Sequence, residues 1–359
     1  MLLYLLFLYF KNIKIGKVKY MQIKEAILDS EKDLVKEFLN RFDLKYANDI
    51  TKTFYCIDND NIIGTISCSD YIIKDLAVLD NYQGENIAGM LISEILAYFR
   101  ENKIYSYQVF TKPMYVNTFK SLGFKEIVTT SKVAMLEGGV SSIEDEIKKI
   151  KNVLELNFGA LEDIDLAALV LNANPITNGH VYLIEQAKKE HNCVVVFIVE
   201  EDKSLFSFKE RLSLAYLATR RLSNVYVMAS SKYIVSSLTF PDYFLKNETE
   251  KVEENARIDA LVFKNYFMKM LHIKKRYVGS EVSNKMNIYN NALKEILKDD
   301  LVIVNRLEEN GEAISAKKVR SLFEDGKIEE GLEMCPNECK QVLANLVMIK
   351  NLERTKYGH

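Results

Sequence analysis

The chain has 359 residues, a length for roughly two or three domains. Apolar residues make up 48% and charged residues 27%, ample core material that excludes a wholly disordered chain. Basic and acidic side chains nearly cancel, 48 against 50 for a net charge of −2, which argues against a general nucleic-acid or anionic-membrane surface.

In chain order, residues 1–10 read MLLYLLFLYF and are apolar throughout, but the run stops at Lys11. A spanning helix needs about 20 apolar residues. A signal peptide needs a basic start and a small-residue cleavage site, and this stretch has neither. Residues 1–20 therefore read as an upstream extension of the frame, with Met21 opening the first domain. An intact mass that included them, in protein made from the native gene, would sink that reading.

Apolar spacing at Leu34, Val35, Phe38 and Leu39 predicts a helix over 31–39. Strands over 54–57 and 62–67, separated by the turn-type cluster Asp58–Asn61, read as a hairpin. A strand over 75–79 leads to a loop and a long amphipathic helix over 83–99. A strand over 105–111 and a short helix over 116–122, stopped by Gly123, close this part. The Gly138–Gly139 pair marks a boundary. Ser141, three residues before Glu144, reads as a capping box opening a charged linker helix to about residue 156.

Beyond Ile164 the pattern alternates. Strands are expected over 169–171, 193–199, 225–228, 276–278 and 301–304, with helices over 179–190, 208–221, 256–271 and 289–297. Such alternation predicts a parallel, doubly wound sheet with helices on both faces. Residues 319–352 read as helical and as packing on the sheet edge. The expected division is 21–136, a linker over 137–160, and 161–359.

The five cysteines, Cys56, Cys68, Cys193, Cys335 and Cys339, are odd in number and scattered, which fits a reduced cytoplasmic protein better than a disulfide framework. Cys335 and Cys339 have no second Cys/His pair near them, so their spacing reads as incidental and no residue is assigned as a metal ligand. His191 and His272 read as surface groups, and His359 is the terminal residue.

The stretch Leu171–His180, LNANPITNGH, carries the most chemistry. A strand ends, a Pro-containing loop turns, and a helix begins at Gly179–His180. Unpaired N–H groups at a helix start suit phosphate oxygens. Gly179 lets a phosphate approach the backbone. His180 can donate to an oxygen as charge builds in a transition state. Taken alone, the pair reads equally as a helix cap that carries a His. Lys203 follows a strand end, where α/β sheets bind ligands, and could hold a phosphate or a substrate carboxylate; a solvated loop lysine is the competing reading.

The stretch resembles the (H/T)-x-G-H signature of the nucleotidyltransferase superfamily, with Thr177 at the position of the first His. Residues 314–320, ISAKKVR, resemble that superfamily's I-S-x-S-x-x-R motif, with Lys317 in place of the second Ser. Residues 201–211, 230–236 and 239–245 and the triplet Gly279-Ser280-Glu281, taken with NANPITNGH, resemble the citrate lyase ligase family from about 21 to 352; Ser207 stands where the family usually has Pro. Residues 82–88, YQGENIA, resemble the CoA loop Q-x-x-G-x-G/A of the Gcn5-related N-acetyltransferase (GNAT) fold, with Asn86 in place of the central Gly, and 117–124, NTFKSLGF, resemble its closing helix and strand.

These resemblances imply an α/β protein with an N-terminal GNAT-like α+β domain and a Rossmann-like doubly wound nucleotidyltransferase domain. They imply ATP with Mg2+, acetate, and as partner the citrate lyase complex, whose acyl carrier subunit bears a CoA-like thiol. His180 and Thr177 would act at the phosphates, and Ser315, Lys318 and Arg320 would neutralise the leaving pyrophosphate. Asn172, Asn174, Gly179, Gly279, Ser280 and Glu281 would line the ATP site. Gln83, Gly84 and Ala88 would hold pantetheine, in a binding or docking role rather than acetyl transfer. Two alternatives stay open: nucleotide transfer to a phosphorylated metabolite without acyl chemistry, and a non-catalytic nucleotide-binding regulator.

Overall fold

Asn59 and Asp60 adopt left-handed backbone angles, φ 47° and 65°, and turn the chain between two long strands. Short polar residues tolerate that region, so the DNDN cluster forms the hairpin expected of it. The computed structural model describes residues 21–202, 204–234, 240, 244–245, 247–280, 284–309 and 312–357. The expected extension at 1–20, Lys203, Glu281 and His359 lie outside the described residues. The chain divides into two compact units, Met1–Phe110 and Thr111–His359.

The first unit contains β1 (Met21–Glu25), α1 (Asp29–Asn40), β2 (Lys52–Asp58), β3 (Asn61–Ser69), β4 (Ile72–Val78), α2 (Ile87–Glu101) and the start of β5 (Ser106–Thr111). β1 to β4 pair antiparallel in chain order. β5 joins β4 in parallel at Ile72↔Gln108 and Ile73↔Val109. α1 buries Val35, Phe38 and Leu39. Leu34 was expected on that face, but it is 54% exposed, because the buried stripe is narrower than the apolar run. α2 buries Ile87, Leu91, Ile92, Ile95 and Phe99 at helical spacing. It packs closely because β3 has Gly64 opposite it, where a Cβ would stand 3.0 Å from Ile87 Cγ2 and 3.1 Å from Leu91 Cδ1.

The second unit begins with a short helix α3 (Val116–Ser121), the hairpin β6 (Lys125–Thr129) and β7 (Ala134–Gly139), and helix α4 (Ile143–Phe158). The cap of α4 differs from the expected one. Ser142, not Ser141, is the N-cap, and Asp145 completes the box. Ser141 instead donates to Glu146.

The second sheet comprises β8 (Leu166–Leu171), β9 (Cys193–Ile198), β10 (Val225–Ala229), β11 (Ile273–Gly279) and β12 (Leu301–Val304) in the order β10-β9-β8-β11-β12, and every pairing is parallel. Helices α5 (Asn178–Glu190), α6 (Phe208–Thr219), α7 (Glu248–Val262) and α8 (Asn284–Leu297) make the crossovers. α7 runs on through a π-helical stretch, Phe263–Met268. The C-terminal stretch, expected to be helical, forms three helices: α9 (Ala316–Glu324), α10 (Ile328–Glu333) and α11 (Asn337–Tyr357). Gly326 at φ 76° ends the first and Pro336 interrupts the chain before the third. One face of the sheet buries Leu169, Val196, Ile198, Leu183, Leu214 and Phe323 in a continuous core. On the other, Phe197 meets Phe267, which stacks on Phe263. The central β8 is where the winding reverses, so the carboxyl end of this strand faces the crevice such sheets use for ligands.

All five cysteines are free and buried. His191 is not the surface group expected: its side chain is 9% exposed, bonds to Asp165 at 2.8 Å and lies edge-on to Tyr277. Among the described residues, no helix is long and apolar enough to cross a membrane.

Candidate active site

Loss of backbone pairing at the end of β8 exposes Asn172, and the chain then turns inward through buried Ala173, Asn174 and Thr177. Ala173 sits at φ 48°. Thr177 is the N-cap of α5 and His180 occupies the third helical position. The Thr177 backbone N–H donates to His180 Nδ1 at 3.0 Å, and Thr177 Oγ1 lies 2.9 Å from the same nitrogen. Nδ1 is therefore an acceptor and the ring proton sits on Nε2. Burial, with a smaller contribution from the Arg306 charge, pushes the imidazole down to about 4. His180 is thus a neutral donor at the start of a helix, a place that favours negative ligands.

Gly179 packs against Ile314 at ordinary contact distance. A Cβ there would stand 3.4 Å from the Ile314 carbonyl oxygen and 3.7 Å from Ile314 Cβ. The start of α5 therefore lies against the residue that opens the second motif. Ser315 caps α9, its Oγ accepting from the Lys318 N–H at 3.2 Å. Arg320 Nη1 donates to the Asn174 carbonyl oxygen. Asn174 Oδ1 accepts from the Phe206 N–H at 3.2 Å. The fold thus brings Asn172, Asn174, Thr177, Gly179, His180, Ser315, Lys318 and Arg320 to one edge of the sheet.

Gly279 and Ser280 end β11 at the same edge. Asn290 donates to the Gly279 carbonyl at 3.0 Å. Arg306, just past β12, donates from Nε to the Ser280 carbonyl at 2.6 Å, and its N–H to Ser280 Oγ at 3.1 Å. Its charge also acts on His180. Sequence reasoning missed Arg306, although a basic residue directly after a strand end is the signal that singled out Lys203.

Arg211 was likewise missed as a functional residue. It is 0% exposed and donates to the Asn172 carbonyl at 2.7 Å, to Asn172 Oδ1 at 3.0 Å, to the Phe206 carbonyl at 3.2 Å and to the Glu201 carbonyl. It braces the loops after β8 and β9 together. Its buried position was invisible in a run that reads SFKER.

In the first unit, Gln83, Gly84 and Ala88 lie at the entrance to α2. Gly84 adopts φ 90° and Asn86 φ 58°. Asn86 therefore keeps the left-handed backbone open to glycine. Its carboxamide lies over Gly89, where a Cβ would stand 2.4 Å from Asn86 Oδ1. Among the described residues, no group of three or more His, Cys, Asp or Glu is arranged to hold a metal.

Residues 166–343 match the family model of the citrate lyase ligase C-terminal domain, and residues 24–137 match that of the GNAT acetyltransferase domain. A citrate (pro-3S)-lyase ligase of Haemophilus influenzae is 30% identical over 314 residues, spanning 84% of this chain and 91% of that protein. The chain belongs to the citrate lyase ligase family. The Escherichia coli citrate (pro-3S)-lyase ligase is 27% identical, over 87% of this chain and 90% of that protein. A phosphopantetheine adenylyltransferase of Clostridium botulinum is 27% identical over 144 residues, 36% of this chain and 85% of that protein. The fold of this citrate lyase ligase family member is accordingly a GNAT domain followed by a nucleotidyltransferase-type α/β domain.

Proposed function

We propose that this chain uses ATP to acetylate the prosthetic-group thiol of the citrate lyase acyl carrier subunit and so activates citrate lyase. Family membership supports the ligase activity. The observation that carries the site reading is the junction of the two motifs: Gly179 against Ile314, and Arg320 bonded to Asn174.

In the first half-reaction an acetate oxygen bonds to the α-phosphorus of ATP. The bond to the bridging oxygen breaks, and pyrophosphate leaves with that electron pair. His180, neutral and protonated on Nε2, donates to a phosphate oxygen as charge gathers. Arg320, Lys318 and Arg306 stabilise the departing pyrophosphate, and the capped start of α9 adds backbone N–H groups. Mg2+, were it held by the triphosphate oxygens, would spread the same charge. In the second half-reaction the carrier thiol sulfur bonds to the acetyl carbon. The carbon–oxygen bond to AMP breaks, AMP leaves with the electron pair, and the thiol proton passes to solvent. Most of the catalysis is positioning and electrostatics.

We assign 21–136 to a GNAT-like domain, 137–160 to a linker and 161–359 to the ligase domain. For the first we propose a pantetheine-holding role, supported by the left-handed backbone of Gly84 and Asn86 at the start of α2. The proposed compartment is the cytoplasm, where five free thiols stay reduced.

The deciding experiment is acetate-dependent exchange of labelled pyrophosphate into ATP, with wild type and His180→Ala. Exchange that needs acetate and is lost in the variant is the expected result. Pyrophosphate release that needs a phosphorylated acceptor and ignores acetate would establish plain nucleotide transfer instead.

A further inference from the structure

The loop after β10, Ser230 to Ile234, takes no part in the nucleotide site, yet it is fastened at several points. Ser231 sits at φ 92°, a strained angle for a residue with a side chain. Its N–H donates to Glu200 Oε1 at 3.0 Å, and its Oγ accepts from the Tyr233 N–H at 3.3 Å. Tyr233 is 1% exposed, and its hydroxyl donates to Glu137 Oε2 at 2.6 Å. Glu137, 3% exposed, lies on β7 and accepts from the Ile143 N–H at 2.9 Å through the same oxygen. Its other oxygen, Oε1, is buried without a hydrogen-bond partner.

The β6–β7 hairpin has other ties besides the Tyr233–Glu137 bond. Thr130 already bonds to Glu254, the Tyr266 hydroxyl donates to the Ile127 carbonyl at 3.2 Å, and Lys132 pairs with Glu250 at 2.7 Å. What the bond adds is a fixed place for the loop, with part-exposed Lys232 held between buried Ser231 and Tyr233. Location gives that placement a purpose. The nucleotide motifs use the ends of β8 and β11 and the segment after β12, which leaves the β9–β10 half of the edge for the second substrate. Glu200 and Glu201 follow β9 side by side; the first holds Ser231, and the carbonyl of the second accepts from Arg211, which reaches Asn172 in the signature loop.

We propose that Tyr233 and Glu137 are positioning residues for the acyl-transfer half-reaction, fixing the loop after β10 where the carrier thiol meets the acetyl-adenylate. This rests on the function proposed above. The test uses full-length Tyr233→Phe and Glu137→Gln with two readouts: acetate-dependent pyrophosphate exchange, and acetylation of citrate lyase supplied in its thiol form. Tyr233→Phe should leave exchange within about two-fold but lower kcat/KM for the lyase about ten-fold or more, since a small misplacement near the reacting atoms is costly. Glu137→Gln keeps an oxygen acceptor and should retain most of the acetylation. Parallel loss of both activities in Tyr233→Phe, or loss of neither, would reduce the bond to a structural one and overturn the proposal. Wild-type protein without acetate-dependent exchange would instead overturn the underlying function, and the positioning role with it.

Discussion

Arg320 donates through Nη1 to the carbonyl of Asn174, a residue 146 positions earlier in the chain. The bond joins the loop after β8 to the helix that carries the second motif. It also orients a guanidinium whose charged form burial disfavours. Such a group gains from a bound anion, and the start of α5 lies beside it.

Replacing Arg320 by Lys should therefore do more than move a charge. Lys has no fork to hold the Asn174 carbonyl and still reach a phosphate. Leaving that carbonyl without its donor should lower stability by about 1–3 kcal/mol. Urea unfolding should register the loss, and the pyrophosphate exchange rate should fall further than the stability change explains.

The pH behaviour of His180 has a definite sign. Its imidazole is held at about 4 in the fold, against 6.5 for an ordinary His. The fold favours the neutral ring, so its contribution to stability is complete above about 6.5 and is lost as pH falls toward about 4. In an NMR titration of the four histidines, the resonance missing from His180→Asn should move near pH 4. A midpoint near 6.5 would contradict the desolvated, neutral state.

Ser315 has a structural duty as cap of α9 and a proposed one at the phosphates. The two separate by substitution. Ser315→Ala should cost about 1 kcal/mol of stability. Ser315→Asp should keep the cap, yet raise KM for ATP roughly ten-fold or more through like-charge repulsion. Equal KM values for Asp and wild type would leave Ser315 as a cap alone.

Arg211 should prove to be a residue on which the whole loop system depends. Replacing it by Met strands the Asn172 and Glu201 carbonyls and removes a cationic partner, 3.6 Å away, of a buried Glu201 carboxylate. Breaking a buried pair on one side costs about 3–5 kcal/mol. Denaturant unfolding of Arg211→Met should show a loss of that order, with weaker ATP binding in the folded protein.

Gly89 and Asn86 should be coupled. Gly-to-Ala inside a helix usually stabilises by about 0.5–1 kcal/mol. Here the new Cβ would meet Asn86 Oδ1 at 2.4 Å. Gly89→Ala should raise Tm less in the native background than in Asn86→Gly, because Asn86 must turn aside to admit the Cβ. Additive effects across that double-mutant cycle would disprove the contact.

Much of this architecture is legible from local chemistry. Strand–helix alternation after Ile164, the DNDN turn and the helix start at Thr177–His180 depend on backbone geometry and hydrogen bonds that close within four residues, so composition and spacing report them directly. The two motifs at 171–180 and 314–320 were legible as a pair only through their resemblance to the nucleotidyltransferase superfamily. Other features depend on atoms brought from far along the chain. Gly179 meets Ile314 from 135 positions away, Arg211 is buried because the loops after β8 and β9 close around it, and Tyr233 finds Glu137 from 96 positions away. The reading of 319–352 as helical could not say that Gly326 and the Pro336 turn divide it into separate helices. Periodicity tells a segment what shape to take, but the desolvation of a charge and the partner of a buried oxygen are decided only when the sheet closes and distant segments exclude water together.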